Sequence, residues 1–305
     1  MKKALVTGAN GFVGSAVVRE LLRHNIEVIA LDREGCSWNI PEGVRFIPFD
    51  LASLSDVTPA LAELKPDIYY HLAWFGMNGE TRGDAFVQLK NVEWTVDALR
   101  QSVEIGCKRF VGAGSIMEYE TQAAVFAQGN RPESGYSYGA AKLAAHTLCI
   151  IEAQKLRTDI VWAEITNAYG IGENSPRLIN STLRKILSDE VLEFTAGIHN
   201  YDFVYIDDAA RAMRLIGENG KPFCHYLIGS SHAKPLKEFI LEIQRTVAPE
   251  KEFIFGKVPF TGVNLPLECF DCSLIENDTG FKAEISFEDG IKRTLDWLKR
   301  YDRVT

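Results

Sequence analysis

Lys3-Ala4-Leu5-Val6-Thr7-Gly8-Ala9-Asn10-Gly11-Phe12-Val13-Gly14 lies almost at the start of the chain and decides how the rest is read. A short apolar run, Lys3 to Val6, ends in Thr7-Gly8, and an amphipathic helical pattern follows from Val13 to Arg23. Three glycines punctuate the join. Gly8 permits a tight turn, Gly11 lets backbone approach a pyrophosphate, and Gly14 lets helix and strand pack closely. A helix that begins there turns unpaired N–H groups and the positive end of its dipole toward phosphates. The competing reading is a purely structural glycine turn.

The rhythm beyond this turn sets the fold. Further β-branched runs occur at Glu27–Asp32, Val44–Asp50, Asp67–Ala73, Lys108–Ala113 and Asp159–Ile165. Helical patterns separate them, among them Ala85 to Glu104. Runs apolar on both faces and separated by helices predict a parallel sheet covered on two sides, a doubly wound α/β fold. Ligands are then expected at the carboxyl ends of the strands. After Asn167 the rhythm breaks: Gly170, Gly172 and Pro176 mark a loop, Arg177 to Leu187 reads as a helix, and Phe287 to Lys299 closes the chain as another. Residues 1–168 are read as the dinucleotide-binding domain. Residues 169–305 are read as a smaller C-terminal substrate-binding lobe, with segments near 200–228 returning to the sheet.

Composition excludes several classes. The 305 residues carry a net charge of -8, which with no Lys/Arg cluster argues against a nucleic-acid partner. No run of eighteen apolar residues suggests a membrane span, and Thr7-Gly8 ends the first apolar run too early for a signal peptide. A cytoplasmic location and reduced thiols are therefore expected for the six cysteines. Cys269-Phe270-Asp271-Cys272 lacks a second pair or a nearby histidine, so it is read as two ordinary thiols in a strand and no metal site is expected.

Asp32 ends the second apolar run, where a carboxylate accepts hydrogen bonds from a ribose diol and repels a 2′-phosphate. It favours NAD. Arg33, which follows, can instead pair with that phosphate, so NADP stays open. Asp50-Leu51 ends the third run at the expected level of an adenine, or is simply a strand-end turn.

Tyr138-Gly139-Ala140-Ala141-Lys142 carries the chemistry. Positions i and i+4 share one helix face. A phenol with pKa of about 10 is a poor base at neutral pH and needs a cation nearby to favour the phenolate. Lys142 supplies one and can also hold a nicotinamide ribose. Ser115, just past the fifth run, is positioned to hold the substrate oxygen. The bland reading is a surface Tyr and Lys four apart by chance.

The chain resembles the extended short-chain dehydrogenases known as NAD-dependent epimerase/dehydratases. The likeness rests on Thr7 to Gly14 with its G-x-x-G-x-x-G spacing, Asp50-Leu51, His71-Leu72-Ala73, Ser115, Tyr138-x-x-x-Lys142, Asn167-Ala168-Tyr169-Gly170 and Asp202 to Asp208, in that order. It continues through Thr279-Gly280-Phe281 to Ile291, Leu295 and Trp297. The resemblance implies that Ser115, Tyr138 and Lys142 are catalytic and that the substrate is a nucleotide sugar touched by Asn167. It implies a dinucleotide held by the glycine turn (Gly8, Asn10, Gly11, Phe12, Val13 and Gly14), Asp32, Asp50 and Leu51; Arg33, Leu72, Ala73 and Trp74 are assigned to the same ligand, besides Tyr138 and Lys142. It also implies a homodimer built through Ala85–Glu104 and Tyr138–Leu156.

The departures matter. Sugar-dehydrating members carry Asp-Glu directly after the Ser/Thr, and Ile116-Met117 stand here, which argues against 4,6-dehydration. Tyr201 and Glu164 occupy positions where the family has arginines. Arg177 or Arg184 on the next helix can replace the lost diphosphate contact, or both are solvated helix-face residues. Trp74-Phe75 either shapes the sugar pocket or is a core aromatic pair. His71 is assigned to packing or a backbone hydrogen bond. Three functions compete: C4 epimerisation of a nucleotide sugar by transient oxidation, single reduction of a 4-keto-sugar nucleotide with NAD(P)H, and dinucleotide binding without catalysis.

Overall fold

A computed structural model describes residues 1–37 and 39–301. The first half alternates strand and helix: β1 (Lys3–Thr7), α1 (Phe12–Arg23), β2 (Glu27–Asp32), β3 (Arg45–Pro48), α2 (Leu54–Leu64), β4 (Ile68–His71), the single turn α3 (Glu80–Gly83), α4 (Ala85–Glu104), β5 (Arg109–Ser115), α5 (Met117–Val125), α6 (Tyr136–Leu156) and β6 (Asp159–Ile165). Then come β7 (Asn167–Tyr169), α7 (Leu178–Leu187), β8 (Leu192–Phe194), β9 (Asn200–Tyr201), β10 (Phe203–Tyr205), α8 (Ile206–Asn219) and β11 (Cys224–Ile228). The chain ends with β12 (Lys234–Pro235), α9 (Leu236–Val247), β13 (Phe253–Phe255), α10 (Ser273–Thr279) and α11 (Phe287–Tyr301).

Seven strands form one parallel sheet in the order β11-β6-β5-β4-β1-β2-β3. The apolar residues of β1 explain why both faces are covered. Leu5 packs with Ile29, Tyr69 and Phe110 on one side, while Ala4 and Val6 pack with Val17 and Leu21 on the other. Burying one such side chain stabilises by roughly 1.5–3 kcal/mol. Strand order reverses between β1 and β4, whose ends are in register at Thr7 and His71, and a crevice opens there.

Local chemistry fixes the flanking helices. Asp84 caps α4, its side chain accepting from the Phe86 and Val87 N–H groups at 2.9 and 3.1 Å. On α6 the residues Ala141, Ala145, Cys149 and Ala153 recur every fourth position and are buried, so a stripe of small side chains lets that helix lie close on the sheet. The remaining short strands pair two by two: β7 with β10, β9 with β12, β8 with β13.

Two expectations are corrected. The third strand stops at Pro48, and Asp50 instead caps a short 3-10 turn by accepting the Ala52 N–H at 2.8 Å. Cys269 lies in a 3-10 turn, Leu267–Phe270, and Cys272 precedes α10, so neither thiol is in a strand. Pro266 and the Asp271 side chain, which accepts from Ser273, favour turns over extended pairing there. Among the described residues no helix is long and apolar enough to cross a membrane.

Candidate active site

The glycine turn is built for close approach. Gly8 has φ +66°, and a Cβ there would stand 2.7 Å from the Ala73 amide nitrogen. A Cβ on Gly14 would stand 1.9 Å from the Gly8 carbonyl oxygen, so only glycine allows α1 to start this near β1. No side chain caps α1, which leaves its first N–H groups facing the crevice. The crevice beside them, about 680 Å³, is lined by Gly8, Asn10, Gly11, Asp32, Arg33, Asp50, Leu51, Leu72, Ala73 and Trp74. The turn is tied to β2 through Asp32: its Oδ2 accepts the Asn10 N–H at 2.9 Å and its Oδ1 accepts the Arg33 N–H at 2.8 Å. Each carboxylate oxygen keeps a lone pair for a ribose hydroxyl. A close glycine cradle, uncapped amides and a strand-end carboxylate fit an adenine dinucleotide.

His71 faces Thr7 rather than the crevice. Its Nδ1 is 3.0 Å from the Thr7 hydroxyl, which also accepts the N–H groups of Leu72 and Ala73 at 3.2 and 3.3 Å. Burial, reinforced by the charge of Lys142, pushes this imidazole down to about 3. A neutral ring therefore ties β1 to β4, through a side chain rather than the backbone.

Ser115, Tyr138 and Lys142 converge on a second cavity of about 350 Å³ that also takes in Gly11, Phe12, Val13 and Gly14. Ser115 ends β5, and its hydroxyl accepts the Met117 N–H at 3.2 Å. Both Tyr138 and Lys142 are buried. The lysine does not point at the phenol: its Nζ donates to the Ala113 carbonyl at 2.7 Å, lies 3.6 Å from the Trp74 ring centre and stays 5.9 Å from that of Tyr138. Burial pushes the ammonium down to about 7, against the pull of Glu118. The cation nearest the phenol ring is Arg82, whose guanidinium stacks at 4.3 Å. Burial raises the Tyr138 pKa, and Arg82, Arg177 and the Ser115 hydroxyl oppose it. The sequence pattern correctly gives one helix face, yet misses that the lysine stem folds under Trp74, which spans both cavities and donates from Nε1 to Gln88 at 2.9 Å.

Beyond the phenol lies a third cavity, about 370 Å³, sharing Ser115, Tyr138 and Arg177 with the second. Asn167 lines it while donating from Nδ2 to the Asp202 carbonyl at 3.1 Å. Tyr201 lines it too, its phenol pushed up to about 12 by burial. Arg177 is half-exposed at the rim, with Glu173 at 4.0 Å. Arg184 does not line these cavities: seven residues along α7 carry it about 10 Å away, and its Nε donates to Asn180 at 3.2 Å. Glu164 also points elsewhere, bonded to Tyr119 and His225.

Two lining residues carry no motif and escaped the sequence reading. Arg82 sits on α3, and Glu120 on α5. Burial pushes the Glu120 carboxyl up to about 7, opposed by Arg82. No hydrogen bond to that carboxyl is formed among the described residues. A Ser-x-x-x-x-Glu spacing on a strand-to-helix junction was the only available signal, and it is far too common to use.

Comparison with known proteins agrees with this geometry. The family model described as the NAD dependent epimerase/dehydratase family matches residues 4–229. A probable dTDP-glucose 4,6-dehydratase of Sinorhizobium fredii is 26% identical, the alignment covering 97% of this chain and 92% of that protein. The UDP-glucose 4-epimerase of Thermotoga maritima, solved with UDP-glucose, has the same fold at TM-score 0.84 and 21% identity, covering 98% of this chain and 99% of that one. A UDP-glucuronic acid 4-epimerase from Bacillus cereus, solved with UDP-glucuronic acid and NAD, superposes at TM-score 0.80 with 22% identity over 98% and 99% of the two chains. With three quarters of its length under one family model, and with Asp32 in one cavity and Ser115, Tyr138 and Lys142 in the next, both walled by the glycine cradle and Trp74, the chain belongs to the NAD-dependent epimerase/dehydratase family.

Proposed function

We propose that this protein is an NAD-dependent nucleotide-sugar 4-epimerase whose Ser115, Tyr138 and Lys142 act at the junction of the dinucleotide crevice and the Arg177 cavity. One observation carries the reading: the three residues line the cavity that joins the glycine cradle to the pocket of about 370 Å³ into which Arg82, Glu120, Asn167 and Arg177 also face. When bound, the dinucleotide supplies a hydride acceptor at its nicotinamide. The chain's own residues do the rest. Ser115 holds the sugar hydroxyl, and Tyr138 takes its proton. Epimerisation oxidises and re-reduces one carbon, so the same phenol must return that proton as an acid. Lys142 orients the nicotinamide ribose, and its charge favours the phenolate once a ligand draws it away from Ala113. Arg177 and Asn167 take the nucleotide side of the substrate, and Asp32 the adenosine ribose.

A second reading, an NAD(P)H-dependent reductase of 4-keto-sugar nucleotides, is favoured by one feature. Arg33 lines the adenosine crevice beside Asp32, where it can meet a 2′-phosphate. The two readings differ in what co-purifies: tightly retained NAD accords with an internal redox cycle, and a site that fills only with NADPH accords with the reductase. Tyr138→Phe tests the shared chemistry. Turnover should vanish while dinucleotide affinity stays within about tenfold, because the phenol serves proton transfer rather than binding. A variant keeping more than about a tenth of the activity rules Tyr138 out as the base.

A further inference from the structure

Glu118 on α5, His146 on α6, Glu164 on β6 and His225 on β11 meet behind Ser115, and none of the four lines the cavities described above. His146 Nδ1 is 2.9 Å from Glu118 Oε2 and 3.7 Å from Glu164 Oε1. One ligand atom from each of these three residues lies within 4.8 Å of the others. His225 Nδ1 adds a second imidazole 3.0 Å from the other Glu164 oxygen. The two imidazole ring centres are 5.6 Å apart. Two imidazoles on one tetrahedral zinc, with Zn–N of about 2.1 Å, have ring centres roughly 5 Å apart.

The surroundings hold these donors in place. Glu118 Oε1 accepts the Trp162 indole N–H at 3.1 Å and the Ser115 backbone N–H at 3.0 Å, which leaves Oε2 turned to His146. The Tyr119 hydroxyl donates to Glu164 at 3.0 Å. The Trp162 ring stacks on His146 at 4.8 Å, fixing the imidazole plane. Ligands oriented by outer hydrogen bonds of this kind are the ordinary support of a metal centre. Glu118 and Glu164 are buried, whereas the His225 side chain is 53% exposed and gives an ion a way in at the sheet edge.

We propose that Glu118, His146, Glu164 and His225 form a site for one divalent transition-metal ion of the zinc class. The donor set decides the class: two imidazoles and two carboxylates suit zinc or cobalt, whereas calcium and magnesium take oxygen alone. A divalent cation with two carboxylates and two neutral imidazoles leaves the pocket neutral. Glu118 bonds the Ser115 N–H directly, so the ion would brace the end of β5 without touching substrate. The four residues lie on four separate elements, which is why no ligand spacing marks them in the sequence. The inference does not depend on the nucleotide-sugar reading.

The test uses the untagged full chain, stripped with EDTA and titrated with Co²⁺ at pH 7.5. One equivalent should bind with the intense visible bands of tetrahedral cobalt, and Zn²⁺ should displace it. His146→Gln should abolish the bands, and the more exposed His225→Gln should weaken binding by about tenfold or more. A wild-type titration giving only the faint spectrum of hydrated cobalt overturns the site, and so does unchanged affinity in either variant. Should His146→Gln fail to fold, the wild-type spectrum and the His225 variant still decide, and a hydrated-cobalt spectrum or an unchanged His225→Gln affinity would make the four groups an ion-pair network only.

Discussion

The Lys142 ammonium stacks 3.6 Å from the centre of the Trp74 ring while donating to the Ala113 carbonyl. A buried cation held by a π face and one carbonyl is weakly compensated, which is why burial brings it to about 7. The ammonium is thus close to losing its proton at neutral pH.

If charged Lys142 is needed to receive ligand, kcat/KM should fall on an alkaline limb centred near 7 in the free enzyme, fully present below it and lost above. Trp74→Leu keeps the apolar cover and removes the π face. Losing about 1 kcal/mol of cation–π stabilisation should move the limb about 0.7 units toward acid. A limb that stays in place separates Lys142 ionisation from Trp74.

Glu120 gives a stability prediction with the opposite kind of group. Its folded pKa of about 7 stands above the ordinary carboxylate value, so between roughly pH 4.5 and 7 the folded state binds more protons than the unfolded one. Stability contributed by this group therefore declines as pH rises through that window and is flat above it. Glu120→Gln should leave the melting temperature nearly unchanged at pH 5 and raise it at pH 8. Equal shifts at both pH values would remove the raised carboxyl from the account. The same variant should alter KM more than kcat if the carboxyl reads a sugar hydroxyl, since Glu120 lines the cavity beyond Tyr138.

Asp32 should set cofactor choice. Asp32→Ser removes the carboxylate that would repel a 2′-phosphate and leaves Arg33 to pair with it. NAD affinity should drop and NADP affinity rise, by about tenfold each in titration calorimetry. The variant also frees the Asn10 N–H, so a small loss of affinity for both cofactors is expected in common. A wild-type protein that already prefers NADPH would favour the reductase reading instead.

The sheet was legible because its signals are local and redundant. β2, β6 and α4 run over the same residues in sequence pattern and structure, each bounded by its own turn or cap. The glycine turn was legible because a Cβ at Gly8 or Gly14 is sterically impossible. Lys142 shows the limit: helical periodicity gives its face but not the rotamer that carries Nζ under Trp74. Arg184 shows another, since a helix-face arginine and a pocket arginine look alike until the helix is docked. Arg82, Glu120 and the Glu118-His146-Glu164-His225 cluster were invisible because separate elements bring them together, and no spacing within one element records that.

The outer face of α4 and α6 leads to the last prediction. These two helices lie side by side, bridged by Arg100 and Glu152 at 3.0 Å. Phe86 and Leu89 on α4 and Leu148 and Ile151 on α6 are exposed, Phe86 by 82%. Side chains facing the sheet from α6 are the small ones, Ala141, Ala145, Cys149 and Ala153, so the large apolar residues are not needed for the chain's own core. Apolar residues gathered on one helix pair suit a two-fold contact in which each helix meets its copy, four helices together. A homodimer through this face is therefore expected. Light scattering at micromolar concentration should give twice the 34.1 kDa chain mass, and Leu148→Glu should return it to the monomer, since each subunit would bury an unpaired charge against its copy. A monomer mass for the wild-type chain would refute the dimer. A dimer that survives Leu148→Glu would move the contact to another face.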